Sequence, residues 1–166
     1  TTGVASSPHL NAEDLAARTG FTVLHTPFPS NGASTAALAG GHIDAVFDSS
    51  STRPLVDSGR IRALFVGSEQ ALENWPELPN APQAGVPGFR AGSWFGIFVS
   101  SRTPEATVRK LNADIAAALA DPALNARLKD MNLVVGGGSP AEFDRFLQEE
   151  KATLGKLIET RGIDVE

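Results

Sequence analysis

Five short segments alternate in a strict order, and that order constrains the chain more than any other feature. Residues 21–25 (FTVLH) are β-branched and aromatic, 30–39 are Ala-rich, 43–47 (IDAVF) are apolar, 54–58 close on Gly59, and 61–66 (IRALFV) are apolar again. Strand, helix, strand, helix, strand predicts an α/β fold with a parallel sheet and helical crossovers. A helix is expected before them. Ser7-Pro8 has the form of an N-cap with a first-turn proline, Leu10, Leu15 and Ala16 share one helical face, and Gly20 is the stop.

The texture changes at residues 69–92, a proline-rich run that reads as an extended connector and a candidate domain boundary. Beyond it, residues 93–100 carry an apolar strand. Thr103-Pro104 caps a helix whose Val108, Leu111, Ile115 and Leu119 form one buried stripe. Asp121-Pro122 opens another helix with Leu124, Leu128 and Met131 on one face, residues 133–135 make a short strand, and Ser139 to Glu142 is a capping box for the last helix.

The stretch from Thr26 to Asp48 carries the functional signal. A Pro-bracketed loop runs into Ser30, Asn31 and Gly32 at a helix start, and the following strand ends on Asp48 and Ser49. Backbone N–H groups at a helix start and a carboxylate at a strand end are where open α/β sheets hold ligands. Ser7 and Ser30 have a plainer role as caps, and a cap and a ligand carboxylate can share one turn.

Composition excludes several classes. The 166 residues suit one domain or two small lobes. A net charge of −5 with no Lys/Arg cluster argues against a nucleic-acid surface. No apolar run approaches a membrane span. With no Cys, and with His9, His25 and His42 lacking ligand spacing, neither a disulfide nor a metal site is expected, and no cofactor is called for. His9 is expected to order the first-helix turn, His42 to sit in an exposed turn, and Gly136-Gly137-Gly138 to be a strand-to-helix turn rather than a phosphate loop. No G-x-S-x-G or Ser-x-x-Lys motif supports a hydrolase, so a non-enzymatic role is expected.

Six segments in order carry a family resemblance: GVASSPHL, FTVLHTPFPSNGASTAALAGGHIDAVFD, SGRIRALFV, PELPNAPQAGVPGF, SWFGIFVSSRTPEATVRKLNADIAAALADPALNARL and GGSPAEFDRFL. Together they resemble the periplasmic substrate-binding receptors of tripartite tricarboxylate transporters, the Bug-type receptors. The resemblance implies a type II periplasmic-binding-protein-like clamshell, a periplasmic location, and capture of a small carboxylate for membrane permease subunits. It also implies that the chain is a mature C-terminal fragment. Residues 1–88 would be one complete parallel-sheet lobe, and 89–166 the returning part of the other lobe.

By motif, the resemblance places ligand contacts on the loop with Gly3, Ala5, Ser6 and Ser7 and on the loop with Ser30, Asn31 and Gly32. Asp48, with Ser49 beside it, would accept a ligand hydroxyl or meet an ammonium, and Phe28 and Phe47 would supply apolar walls. The plainer role for Asp48 is to cap the helix near Arg53-Pro54, for which Thr52 is better placed. Where the family has Pro-Tyr-Lys-Gly, this chain has Pro27-Phe28-Pro29-Ser30, so a Lys charge is missing. Trp94, Phe95, Ile97 and Phe98 would face absent strands, from which self-association or rearrangement is expected. A ligand-sensing domain that signals to a membrane partner uses the same pocket and is the alternative reading.

Overall fold

The computed structural model describes residues 1–131 and 133–164. Six α-helices run along it: α1 (Ser7–Thr19), α2 (Asn31–Ala39), α3 (Arg53–Asp57), α4 (Glu105–Ala120), α5 (Pro122–Asp130) and α6 (Pro140–Arg161). The chain divides into two compact units, one of Thr1–Trp94 with Leu154–Glu166 and one of Phe95–Thr153.

Local chemistry places the helix ends. Ser30 caps α2 by accepting the Ala33 amide at 3.2 Å. Asp121 caps α5 by accepting the Leu124 amide at 2.9 Å. Ser139 and Glu142 form the reciprocal capping box, with bonds of 2.7 Å and 3.3 Å, and the Ser139 donors hold the Glu142 carboxyl below its usual range. Gly20 and Gly59 stop their helices at φ 82° and 71°. At α1 the cap is Ser6 rather than Ser7, because Ser6 is the last extended residue (φ −65°, ψ 156°) and its hydroxyl turns back to Gly3 O. Pro104 takes the N-cap of α4 without any bond from Thr103, since its ψ of 139° already ends the extended run.

Among the described residues no strand ladder joins 21–25, 43–47 and 61–66, and bridging is confined to Val66 with Asn80 and Leu72 with Trp75. The expected sheet is therefore absent as a hydrogen-bonded element. Helices satisfy their bonds within one segment, whereas parallel pairing is non-local and belongs to sheets covered on both faces. That cover is missing here: Leu24 is 93% exposed and Leu64 is 65% exposed.

The proline-rich run is not an extended connector. It folds into successive turns, with Ala84 N donating to Asn80 O (2.9 Å), Val86 N to Ala81 O (2.9 Å) and Phe89 N to Val86 O (3.1 Å). Asn80 and Gln83 each accept the other's amide at 3.0 Å. These turns bury Trp75, Leu78, Ala81, Val86 and Phe89, joined in the core by Leu10 and Ala16 of α1. Pro and Gly fix tight turns, and the apolar residues between them then converge. Phe89 is fully buried between Phe47 and Phe65, at ring centroids 6.0 and 5.9 Å away. Phe47 thus packs against the core while staying partly exposed.

Gly67 meets this core at closest quarters. Its carbonyl accepts the Ala91 amide at 2.8 Å, and a Cβ at Gly67 would lie 2.4 Å from Ala91 Cβ. Gly67→Ala is expected to destabilise the protein by about 1–3 kcal/mol, read from urea unfolding. An unchanged midpoint would show that the turn yields without cost.

In the second unit the expected stripe of α4 is only half covered, Leu111 being 40% exposed. Phe143 packs on Phe98 at 5.4 Å, while Phe95 and Ile97 stay open to solvent. Asn112 Nδ2 donates to Gly138 O at 2.9 Å, tying α4 to the turn before α6.

Candidate functional site

Two loops lie side by side in the first unit because the chain start is bonded across to residues 26–28. The Thr1 amino group donates to Thr26 O at 3.0 Å, and Phe28 N donates to Thr1 O at 2.7 Å. Phe28 is half-buried at this seam. In the first loop Gly3 (φ 139°) and Ala5 (φ 55°) take left-handed conformations, and Ser6 donates its hydroxyl to Gly3 O at 2.7 Å. The first intrahelical bond runs from Leu10 N to Ser6 O, so among the described residues the Ser7 amide has no partner.

The second loop repeats this arrangement. Ser30 O accepts from Ser34 N at 3.2 Å and its hydroxyl from Ala33 N, which leaves the Asn31 and Gly32 amides unpaired among the described residues. Unpaired first-turn amides carry about half a positive charge at the helix start.

A cleft of about 550 Å³ opens beside α2 and α3, lined by Asn31, Gly32, Thr35, Asp48, Ser51 and Arg60 among others. Three expected site residues, Asn31, Gly32 and Asp48, thus meet in one cavity. Gly3, Ala5, Ser6, Ser7, Phe28, Ser30 and Ser49 do not line it. Asp48 does not cap α3. Its two carboxylate oxygens accept from the Thr35 hydroxyl and, at 2.8 Å, from the Ser49 amide. Thr52 holds the N-cap position of α3, yet its hydroxyl bonds Ser49 O at 2.9 Å instead of capping.

Arg60 was not foreseen. It follows the Gly59 stop, and α3 is only five residues long, so Arg60 lines the same cleft as Asp48. No carboxylate pairs with it among the described residues. The available signal was a cation directly after a helix too short to carry it away from the preceding strand end.

Behind the first loop sits a buried polar cluster. His9 is 5% exposed and stacks on His25 with centroids 3.7 Å apart at 10°. Its Nδ1 accepts the Ala5 amide at 3.0 Å, so His9 does order the first-helix turn. Glu13 lies 3.8 Å from His9 Nε2 and accepts from Arg161 Nε at 2.7 Å. Burial lowers the pKa of both histidines, against the pull of Glu13, and His9 lowers His25 further.

Those shifts set a pH dependence of stability. Below the ordinary value of 6.5 the unfolded chain binds protons that the folded chain resists, so this stability is complete above 6.5 and is lost as pH falls through it. The melting temperature is expected to drop between about pH 7.5 and pH 5.5. A rise over that interval would mean that Glu13 outweighs burial.

Residues 1–163 match the family described as tripartite tricarboxylate transporter family receptor. The chain belongs to that receptor family. A relative from Pseudomonas sp. strain P51, the UPF0065 protein in the tcbD-tcbE intergenic region, is 35% identical over 94% of this chain and 47% of its own length. Among solved structures, R. palustris Rpa4515 with adipate is 30% identical, covers 98% of this chain over 55% of its own, and gives a TM-score of 0.84. MatC from Rhodopseudomonas palustris with bound malate is 27% identical, covers 92% and 53%, and gives 0.76. The chain therefore spans about half the length of these relatives. Its path follows the periplasmic-binding-protein fold of the family, even where the sheet bonds are not made. Among the described residues no helix is long and apolar enough to cross a membrane.

Proposed function

We propose that this chain is about half of the ligand-binding body of a periplasmic solute receptor, which captures a small dicarboxylate and hands it to permease subunits of a tripartite transporter. The observation that carries this reading is the pair of unpaired amides of Asn31 and Gly32 opening on a cleft that also holds Arg60. Amide donors and an arginine suit a carboxylate. Asp48 keeps capacity to accept from a ligand hydroxyl or ammonium. Adipate and malate, the ligands of two structural neighbours, have the two acid groups this arrangement expects. In this reading residues 1–88 form one lobe and 89–166 return to the other, Gly3, Ala5, Ser6 and Ser7 contribute the second amide loop, and Phe28, Ser30 and Ser49 border the ligand.

Thermal shift against mono-, di- and tricarboxylates and acidic amino acids tests the reading. A dicarboxylate at a hundredfold excess over its Kd is expected to add about 2.7 kcal/mol of stability. If neutral solutes alone raise the melting temperature, carboxylate capture is wrong.

A further inference from the structure

The buried histidine behind the first loop is placed to do more than fill space. Ala5 stands at φ 55°, the left-handed region that a residue with a Cβ adopts only at a cost. The side-chain bond to the Ala5 amide comes from His9 Nδ1, at 3.0 Å. An acceptor at Nδ1 requires the neutral imidazole with its hydrogen on Nε2, the nitrogen facing Glu13. A second proton would have to enter at Nδ1, where it would turn the acceptor into a donor and face the Ala5 N–H.

We propose that His9 is a positioning residue: while neutral, its Nδ1 holds the Ala5 amide and with it the shape of loop 3–7, and protonation releases that loop. Its bearing on ligand capture rests on the function proposed above. The groups facing His9 are Glu13 from its own helix, His25 stacked on it from the segment after α1, Arg161 from α6 through Glu13, and the amino group of Thr1, the residue whose side-chain hydroxyl bonds His25 Nε2. Glu13 alone would draw a proton onto His9, but its charge is shared with Arg161. Two protonated rings would repel at 3.7 Å, so the stacked pair resists taking a second proton once one ring is charged.

The test is amide hydrogen exchange at Ala5 from about pH 8 to pH 5, normalised to the intrinsic rate, with ring 15N shifts reporting which histidine takes the proton. The His9→Asn variant keeps an acceptor where Nδ1 stands and does not titrate. In the wild type, Ala5 protection is expected to fall about tenfold as His9 protonates, the factor for one lost hydrogen bond. In His9→Asn it is expected to stay level. Ala5 protection that survives His9 protonation overturns the proposal, as does a wild type that unfolds before His9 takes a proton. The wild-type arm needs no variant to fold. Adipate affinity, measured alongside, is expected to fall with protection in the wild type only. Adipate that never binds would count against the proposed function and leave the exchange result to decide the role of His9.

Discussion

Phe89→Ala is expected to remove about 3–5 kcal/mol of stability, more than any other single truncation in the first unit. Phe89 is fully buried, touches Phe47 and Phe65, and sits with Ala81 and Val86 at the centre of the cluster that Leu15 and Ala91 complete. The ring comes from a turn whose amide is already committed to Val86 O, so the backbone has little freedom to collapse into the space left behind. Urea unfolding followed by tryptophan fluorescence reports directly on this region, because Trp75 is buried nearby in sequence and held under Arg53 at 5.1 Å. A loss below about 1 kcal/mol would mean that the proline-rich turns are not the core. Total stabilities of about 5–15 kcal/mol make the expected loss a large share of what the chain has.

Asn31→Pro is expected to weaken ligand binding by about 1–3 kcal/mol while leaving the fold intact. Asn31 is the first residue of α2, where proline fits, and Ser30 before it is extended at φ −160° and ψ 163°, the conformation that a following proline requires. The substitution deletes one amide donor together with the Asn31 carboxamide, so Asn31→Ala, which keeps the amide, is the control that separates the two. Placing the proline at Ser30 would be a poorer test, because φ there is far from the proline value and the Ser30 hydroxyl caps α2. Calorimetry with malate or adipate gives the readout. Full affinity with an unchanged melting temperature would remove the Asn31 amide from the site.

The features legible in the sequence were those decided within one turn of chain. Asp121-Pro122, Ser139 with Glu142, and the glycines at 20 and 59 place their helix ends because the donor and acceptor are three or four residues apart. Ser6 displaced Ser7 by a single position, as happens when two adjacent serines compete and backbone torsion decides. The amide loop at Ser30 was legible for the same local reason, and Asn31, Gly32 and Asp48 do share a cleft. What was not legible is non-local. The alternation that predicts a sheet says nothing about whether partner strands and covering helices are near enough to form a ladder. Proline density reads as extension, yet at residues 69–92 the apolar residues between the prolines converge on Phe89. Phe47 could point to ligand or core with equal ease until Phe89 was in place beside it. Arg60 belongs to the cleft only because α3 is so short.

Ala5, alone in the described chain as a non-glycine residue with positive φ, gives the first loop a rigidity that glycine would not. Glycine there would relax the torsion but admit many more backbone states, and each ligand encounter would then have to order them again. With Ala5 latched by His9, the ordering is completed during folding. A solute arriving at such a loop meets donors already in register, so selectivity between similar acids should be expressed as differences in residence time rather than in the rate of capture.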